Sequence, residues 1–141
     1  GRPITQEDIE PSNWWSSELG KTLPGTMYLA AQNWLHHWSR RTLSFWNDFD
    51  LLLTPVLGGL TPTIGLLSDP KTGQQQLREL IGFVDQANVT GQPAISVPVG
   101  EHEGLPIGVQ VIAARGQDTL LLQIAQQLED SEAFTKLSNE L

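Results

Sequence analysis

The sequence predicts a layered α/β fold, on the basis of three patterns that follow one another along the chain. A long helical pattern over residues 25–48 leads directly into the apolar run Leu51–Leu53, the helix-then-strand step that is typical of layered folds. Residues 94–111 have the pattern of a β-hairpin, and residues 118–129 that of a closing amphipathic helix. The expected order of elements is therefore α, α, β, α, β, β, α.

The first third of the chain is expected to be helical. Ser12 is a suitable N-cap for a short helix that Gly20 would end. In the longer helix over residues 25–48, apolar residues recur at intervals of three, four or seven and so share one face. They are Met27, Ala31, Trp34, Trp38, Phe45 and Phe49. A stripe this wide should cover a sheet or another protomer, and it is more typical of core than of a ligand site.

The middle of the chain alternates buried and loop-like patterns. Leu51–Leu53 is apolar without alternation, which predicts a strand covered on both faces. Residues 56–75 are punctuated by Gly and Pro and predict a long surface loop, a feature that often carries function. Residues 77–87 predict a short helix, followed by a turn at Asn88–Gly91.

The hairpin pattern comes next. Ala94–Val99 is an apolar run too short for a stable helix, and residues 107–111 alternate between apolar and small or polar residues, as a half-buried strand does. Pro98 lacks a backbone donor, so it should lie at a strand end or on an edge strand. After the hairpin, Asp118 is a suitable N-cap for the closing helix, and Ser131 for a last short helix.

Two ordered blocks of residues in this region carry a family resemblance. The first comprises Asn88, Thr90, Gly91, Pro93, Ala94, Ser96 and Pro98, and the second comprises Gly104, Leu105, Pro106, Gly108, Val109 and Gln110. Together they resemble the C-terminal signature of the amidase signature family of serine amidohydrolases. Residues 49–55 match that family's aromatic, Asp, aliphatic, Thr, Pro pattern as well, so the resemblance covers about residues 45–129.

The resemblance implies a fold and a domain organisation. Enzymes of this family are longer single domains around one large mixed β-sheet covered by helices. Residues 1–141 would then be an incomplete C-terminal fragment of one amidase domain, helical over 1–48, with the strand, hairpin and C-terminal helix in 49–141. The absence of an initial Met agrees with a shortened chain. Missing strands would leave an unpaired edge and an apolar face, so a homo-oligomer is expected.

The resemblance also implies amide hydrolysis by a Ser–Ser–Lys triad, without metal or cofactor. One serine attacks the carbonyl, a second relays its proton, and a neutral lysine is the base. The Gly-Ser-rich motif that supplies the serines lies upstream of the matched segment, and no such motif occurs in this sequence. The only serine pair, Ser16–Ser17, has no glycine beside it. None of Lys21, Lys71 and Lys136 has a sequence context that suggests burial. The chain alone is therefore expected to be inactive.

What remains for this chain is to shape the substrate pocket. In the family, the end of the Thr-Pro strand and the segment that enters the hairpin line the pocket near the scissile bond, which is where open sheets bind ligands. Carried onto this sequence, the positions are Thr54, Pro55, Val56, Leu57, Phe83, Asp85, Asn88, Thr90 and Gly91. Asp85 is a carboxylate that could meet a substrate amine. The alternative is that Asn88 and Gly91 only make the turn.

Three other features attract attention but favour structural explanations. Ser96 lies within a strand and lacks the Gly-x-Ser-x-Gly elbow that exposes a nucleophile. The adjacent His36 and His37 would point about 100° apart on a helix, and neither has a further ligand four residues away, so no metal site is predicted. The three residues of 101–103, which are Glu, His and Glu, sit between glycines and predict a solvated acidic turn.

Composition excludes several classes of function. The net charge of −8, with only eight Lys and Arg in 141 residues, argues against nucleic-acid binding. No apolar run reaches the roughly 18 residues that span a bilayer, and the first residues lack the apolar core of a signal peptide. The absence of cysteine excludes disulfides and thiolate metal sites and fits a cytoplasmic protein.

Three interpretations remain open. The first is an amidohydrolase acting on a small linear or cyclic carboxamide, seen as its C-terminal part. The second is an amidotransferase subunit of the same family, which the acidic composition does not favour. The third is a noncatalytic interaction or oligomerisation module derived from an amidase. The intact signature blocks favour truncation over evolved loss of the catalytic residues.

Overall fold

The computed structural model describes residues 2–69 and 71–131, and these residues confirm the predicted α/β class. The elements in chain order are α1 Pro11–Thr22, α2 Gly25–Leu43, β1 Leu51–Pro55, α3 Gly73–Leu80, α4 Asp85–Thr90, β2 Ala94–His102, β3 Leu105–Ala113 and α5 Asp118–Glu129. Short 3₁₀ turns occupy Ser44–Asn47 and Leu66–Ser68. By its internal contacts the chain divides into two compact units, one up to Trp38 and one from Ser39 onward.

The first unit contains α1 and most of α2. Helix α1 begins with Pro11 in its first turn, where a missing N–H costs nothing. Trp34 and Trp38 stack one turn apart on α2, with ring centroids 6.4 Å apart. Many large apolar side chains of this unit are exposed: Trp15, Leu19, Leu23, Met27, Tyr28, Leu29, Trp34 and Leu35. Met27 and Trp34 of the apolar stripe are thus exposed, and the expected packing of the stripe against a sheet or another protomer stays a prediction.

The long helix ends earlier than the sequence predicts. Helix α2 stops at Leu43, and Ser44–Asn47 tightens into a 3₁₀ turn, so the single helix expected over residues 25–48 is wrong at its end. Ser44 donates its hydroxyl to the carbonyl of Arg41 at 2.7 Å, a local bond that competes with helix continuation. The turn stacks Phe45 on Phe49, with centroids 4.5 Å apart.

The second unit is built on a three-stranded antiparallel sheet with strand order β1-β3-β2. Leu51 pairs with Ala113 and Pro55 with Val109, while Ala94 pairs with Ile112 on the other side of β3. Strand β1 thus lies at an edge of the described sheet. Leu51 packs against the core, but Leu53, two residues further along the same face, is 61 % exposed. The expected strand covered on both faces is wrong for the described residues.

The two faces of the sheet differ in chemistry. One face packs against α5, where Val111, Ala113 and Leu121 form the buried core with Leu51, Ile95 and Val109 around them. The strand register places Thr54, Gln110 and Ser96 opposite one another in a row across the other face. Side chains alternate between faces along a strand, so this polar row lies directly behind the apolar core.

The hairpin is tighter than its sequence suggests. Glu103 and Gly104, with φ of 53° and 76°, form a two-residue turn of the kind that matches strand twist. Residues 101 and 102 are therefore strand residues rather than loop residues, although both are exposed. Pro98 lies on β2, the other edge strand, as predicted, and a register shift follows it before Gly100.

The segment before the hairpin is more helical than predicted. The helix expected over residues 77–87 is two helices, α3 and α4, separated by residues 81–84. Asn88–Thr90 belongs to α4, so the turn expected at residues 88–91 is wrong except for Gly91. Gly91 has φ of 66° and ends the helix by donating its N–H to the carbonyl of Ala87 at 2.9 Å.

The end of the described chain agrees with the sequence. Helix α5 ends at Glu129 as expected, and it begins at Asp118, with residue 117 at the N-cap position instead of Asp118. The further helix expected after Ser131 lies outside the described residues. Within residues 2–69 and 71–131, no helix is long and apolar enough to cross a membrane.

Candidate functional site

Gln110 joins two of the segments that the sequence assigns to the site. It lies on β3 opposite Thr54 and is only 6 % exposed. Its Nε2 donates to Thr54 Oγ1 at 3.0 Å and to the Phe83 carbonyl at 2.9 Å. A buried amide group needs such partners because leaving it unpaired costs its full desolvation. The C-terminal end of β1 and the segment before α4 are therefore held together by one side chain.

A groove of about 310 Å³ lies between the loop that follows β1 and the outer half of the hairpin. Pro55 and Val56 contribute to one wall, and Ser96 and Gly108 contribute from the sheet. A Cβ on Gly108 would lie 3.0 Å from Ser96 Oγ and 3.1 Å from Val56 Cγ2. Because Gly108 has no side chain, Ser96 and Val56 can approach it closely, and no methyl group projects into the groove at this position.

The loop after β1 is anchored to α3. The Gly58 N–H donates to the Leu80 carbonyl at 2.8 Å. A Cβ on Gly58 would lie only 2.1 Å from the carbonyl oxygen of Glu79, so the close approach depends on glycine. The backbone that carries Pro55 and Val56 toward the groove is therefore fixed at its far end as well.

Thr90 is held within an internal network. It is fully buried, and its Oγ1 lies 2.7 Å from the Gln86 carbonyl and 2.8 Å from Gln92 Oε1. Gln92 Nε2 in turn donates to the Ala113 carbonyl at 2.8 Å, and Arg115 Nε donates to the Thr90 carbonyl. This network locks the end of α4 to the end of β3. The assignment of Thr90 and Gly91 to substrate binding stays a prediction.

Phe83, Asp85 and Asn88 lie on the surface of the segment that Gln110 holds. Asp85 is the first residue of α4, where a carboxylate interacts favourably with the helix dipole. Asn88 Nδ2 reaches the Val84 carbonyl only at 3.5 Å, so its amide makes no strong internal bond there. All three side chains are accessible to a ligand, and their roles as ligand contacts stay predictions.

The family model for amidases matches residues 5–122 of this chain. The chain belongs to the amidase family. It matches a C-terminal portion of amidase signature enzymes. The 6-aminohexanoate-cyclic-dimer hydrolase of Paenarthrobacter ureafaciens is 36 % identical over 140 residues, which cover 92 % of this chain and 28 % of that protein. The fatty acid amide hydrolase of Arabidopsis thaliana is 37 % identical over 124 residues, covering 86 % of this chain and 20 % of that protein.

Solved structures show the same relationship. The structure of 6-aminohexanoate cyclic dimer hydrolase complexed with substrate matches with a TM-score of 0.79 and 36 % identity, covering 92 % of this chain and 29 % of that one. A glutamyl-tRNA(Gln) amidotransferase subunit from Thermotoga maritima matches with a TM-score of 0.61 and 27 % identity, covering 89 % and 28 %. This amidase chain thus spans less than a third of the length of these relatives.

Of the remaining candidate residues of this amidase chain, Ser96, His102 and Glu103 line the same groove, whereas His36 and His37 lie on α2. His36 and His37 are exposed on α2, and His102 lies 3.9 Å from the Glu103 carboxylate at the hairpin tip. In the part of the chain that the structure describes, no group of three or more His, Cys, Asp or Glu is arranged to hold a metal ion. Ser96 lines the groove from within β2.

Among residues 2–69 and 71–131, two carboxyl groups have depressed pKa values, and neither residue lines the groove. The hydrogen bond from the Arg2 guanidinium, followed by bonds from Thr5, lowers the pKa of Asp8. Backbone N–H groups of Thr72 and Lys71, both 2.8 Å away, and the Thr72 hydroxyl lower the pKa of Asp69 in the turn before α3.

Gln110, which joins the strand end at Thr54 to the segment at Phe83, is a residue that sequence reasoning leaves out of the site. Gln110 belongs to the second signature block, but the sequence pattern assigns it no role in the site. The available signal is its place between Val109 and Val111, where one polar side chain interrupts an otherwise apolar strand end. Alternation puts this side chain on the face opposite Val109 and Val111, and the identity of its partners follows only from the fold.

Proposed function

We propose that the full-length protein containing this chain is an amidase that hydrolyses a linear or cyclic carboxamide. The observation that carries the proposal is the likeness to amide-bond hydrolases along nearly the whole chain, both signature blocks included. In this proposal the chain is the C-terminal fragment of a single amidase domain. The proposed location is the cytoplasm, which the lack of cysteine in these 141 residues supports.

The chemistry in this proposal belongs to residues outside the chain. A serine oxygen attacks the amide carbonyl carbon while its proton passes through a second serine to a neutral lysine. The lysine returns the proton to the leaving nitrogen as the C–N bond breaks, and water then hydrolyses the acyl-enzyme ester. The sequence of this chain holds no Gly-Ser-rich motif. The 141 residues alone are therefore inactive in this proposal, and their task is to bind and orient the substrate.

The residues assigned to that task are Thr54, Pro55, Val56, Phe83, Asp85, Asn88, Thr90 and Gly91. Thr90 is fully buried, so its part in this proposal is to hold the end of α4 in place. Support comes from the bridge at Gln110, which joins the strand end at Thr54 to the segment at Phe83. Further support comes from the groove beside Pro55 and Val56, whose volume of about 310 Å³ is at the lower end of the range for small-molecule sites.

The test is a hydrolysis assay on the purified full-length protein with a panel of carboxamides. The panel contains a cyclic diamide, a linear aliphatic amide and an aryl amide, and the readout is the amine released. Hydrolysis of at least one amide that is blocked by a serine-directed acylating or sulfonylating reagent supports the proposal. A folded full-length protein that releases no amine from any of them contradicts it.

An amidotransferase subunit is the less favoured alternative. The structural likeness to the amidotransferase is lower than the likeness to the cyclic dimer hydrolase, and the net charge of −8 gives little attraction for tRNA phosphates. A noncatalytic module is also less favoured because both signature blocks are intact. A noncatalytic module would bind a partner without hydrolysing any carboxamide, whereas an amidotransferase subunit would release ammonia from glutamine and leave the amides of the panel intact.

A further inference from the structure

Gln110 fixes not only the position of Thr54 but also the direction of its hydrogen bonding. The amide Nε2 of Gln110 can only donate, so at 3.0 Å the Thr54 oxygen acts as the acceptor. The hydroxyl hydrogen of Thr54 is then free to donate to a different group. A hydroxyl that accepts one hydrogen bond is also polarised and becomes a better donor.

We infer that Gln110 is a positioning residue that turns the Thr54 hydroxyl into a hydrogen-bond donor for an acceptor oxygen of the bound carboxamide substrate. The inference rests on the proposed function, because it assigns a direction to one contact of the proposed pocket. Thr54 stands at the C-terminal end of β1, and the next residues, Pro55 and Val56, line the groove. Thr54 as a whole residue is partly exposed, as a ligand contact must be, and it lies directly beside the groove-lining Pro55.

The second bond of Gln110 supports a positioning role. Its partner is the backbone carbonyl of Phe83, which a side-chain substitution at that position cannot remove. Both donor bonds leave the same nitrogen, so any rotation of the amide would break both at once. The orientation of Nε2 toward Thr54 is therefore fixed by a backbone atom 27 residues away in sequence.

An apolar residue could fill the space that Gln110 occupies. Gln110 lies between Val109 and Val111 on the central strand, and a buried amide is costly unless it is paired. Methionine or leucine would fill the same volume without that cost. The two hydrogen bonds of the Gln110 amide fix the position of Thr54 relative to the Phe83 carbonyl. Both partners belong to segments assigned to the pocket.

The test compares kinetic constants of full-length variants on an amide substrate of the wild type. Gln110→Met and Thr54→Val are each expected to raise KM about tenfold, with kcat changed less than threefold. Gln110→Glu is expected to match Gln110→Met, because its carboxylate accepts the Thr54 hydroxyl and reverses the bond. Thr54→Ser keeps the donor and is expected to stay within threefold of wild type.

The double variant separates a shared role from two independent ones. If the two residues act as one unit, Gln110→Met combined with Thr54→Val raises KM no more than twofold beyond either single change. The matched control is Gln126→Leu, which removes an exposed glutamine that donates to Asp130 at 3.0 Å on α5. It is expected to leave both constants unchanged. An unchanged KM in Thr54→Val, or a roughly hundredfold rise in the double variant, overturns the inference.

A second measurement is independent of activity. Gln110→Met is expected to speed backbone hydrogen exchange in residues 81–90 at least tenfold, whereas Gln126→Leu leaves it unchanged. Unchanged exchange in Gln110→Met means that the amide does not hold this segment, and it overturns the inference. A full-length wild type that hydrolyses no amide instead contradicts the proposed function, while the exchange measurement still shows whether Gln110 holds the segment.

Discussion

Replacing Gly58 with alanine should detach the loop that carries the groove wall from α3. The added Cβ would lie 2.1 Å from the carbonyl oxygen of Glu79, and real Cβ contacts are essentially never shorter than 3.0 Å. The obstacle is backbone, which cannot rotate away as a side chain can. The loop must therefore move by about 0.9 Å at this point.

That movement sets the size of the effect. A shift of this size stretches the 2.8 Å bond between the Gly58 N–H and the Leu80 carbonyl beyond hydrogen-bonding range. Losing the bond costs about 1 kcal/mol, and forcing extra atoms into a packed contact costs about 1–3 kcal/mol more. We expect Gly58→Ala to lower the free energy of unfolding by about 2–4 kcal/mol.

The neighbouring glycine supplies the control. A Cβ on Gly59 would meet nothing closer than Leu80 Cδ1 at 3.9 Å, an ordinary contact. Gly59→Ala is therefore expected to be neutral or stabilising by less than about 1 kcal/mol. Urea denaturation of both full-length variants, followed by circular dichroism, measures the difference. Equal stability of the two variants would refute the reasoning, because the close approach at Gly58 would then not exist.

Three further predictions follow from the structure. The pKa of Asp69 is depressed in the folded state, so its ionised carboxylate stabilises the fold at pH values above its unfolded pKa of about 4. This stabilisation is lost as the pH falls toward the lower pKa of the folded state. Asp69→Asn should therefore lower the Tm at pH 7 and flatten its decline in acid, and an unchanged pH profile would contradict this. Asp85→Asn should raise the KM for substrates that carry an amine about tenfold, since it removes one charge-assisted hydrogen bond. The KM for neutral amides should not change. Equal effects on both substrate types would exclude a contact between the Asp85 carboxylate and the substrate amine. The isolated 141-residue chain should sediment as a dimer or larger species in analytical ultracentrifugation, because Leu53 is 61 % exposed on an edge strand. Burying such apolar surface stabilises association by roughly 25 cal/mol per Å². A monomer at high concentration would argue against association.

The elements that could be predicted from sequence are those with a strong local pattern. β3 and α5 follow from hydrophobic periodicity, and β1 and the first half of β2 follow from short apolar runs bounded by Gly or Pro. Asn88 and Thr90 carry turn chemistry, yet both lie in α4, because Thr90 satisfies its hydroxyl on Gln86 within the helix and Gly91 alone takes the left-handed conformation. Local propensity thus correctly predicted the left-handed conformation of Gly91, but it wrongly placed residues 88–90 in a turn instead of a helix.

The candidate site also combines residues that could be assigned before the structure was known with residues that could not. The family resemblance assigns Pro55 and Val56 to the pocket, and the structure puts them at a groove. Gln110 could not be assigned from sequence, because its partners lie 56 and 27 residues away and only the fold brings them within 3.0 Å. The exposure of Leu53 was also missed, since a continuous apolar run does not reveal whether its covering elements belong to the same chain.

The central claim is that this chain shapes the substrate pocket of an amidase whose catalytic residues lie elsewhere in the full-length protein. The most direct measurement is amine release from a carboxamide panel by the purified full-length protein and, side by side, by the isolated 141-residue chain. We predict hydrolysis by the full-length protein and none by the chain. Hydrolysis by the isolated chain, or none by a folded full-length protein, would contradict the account.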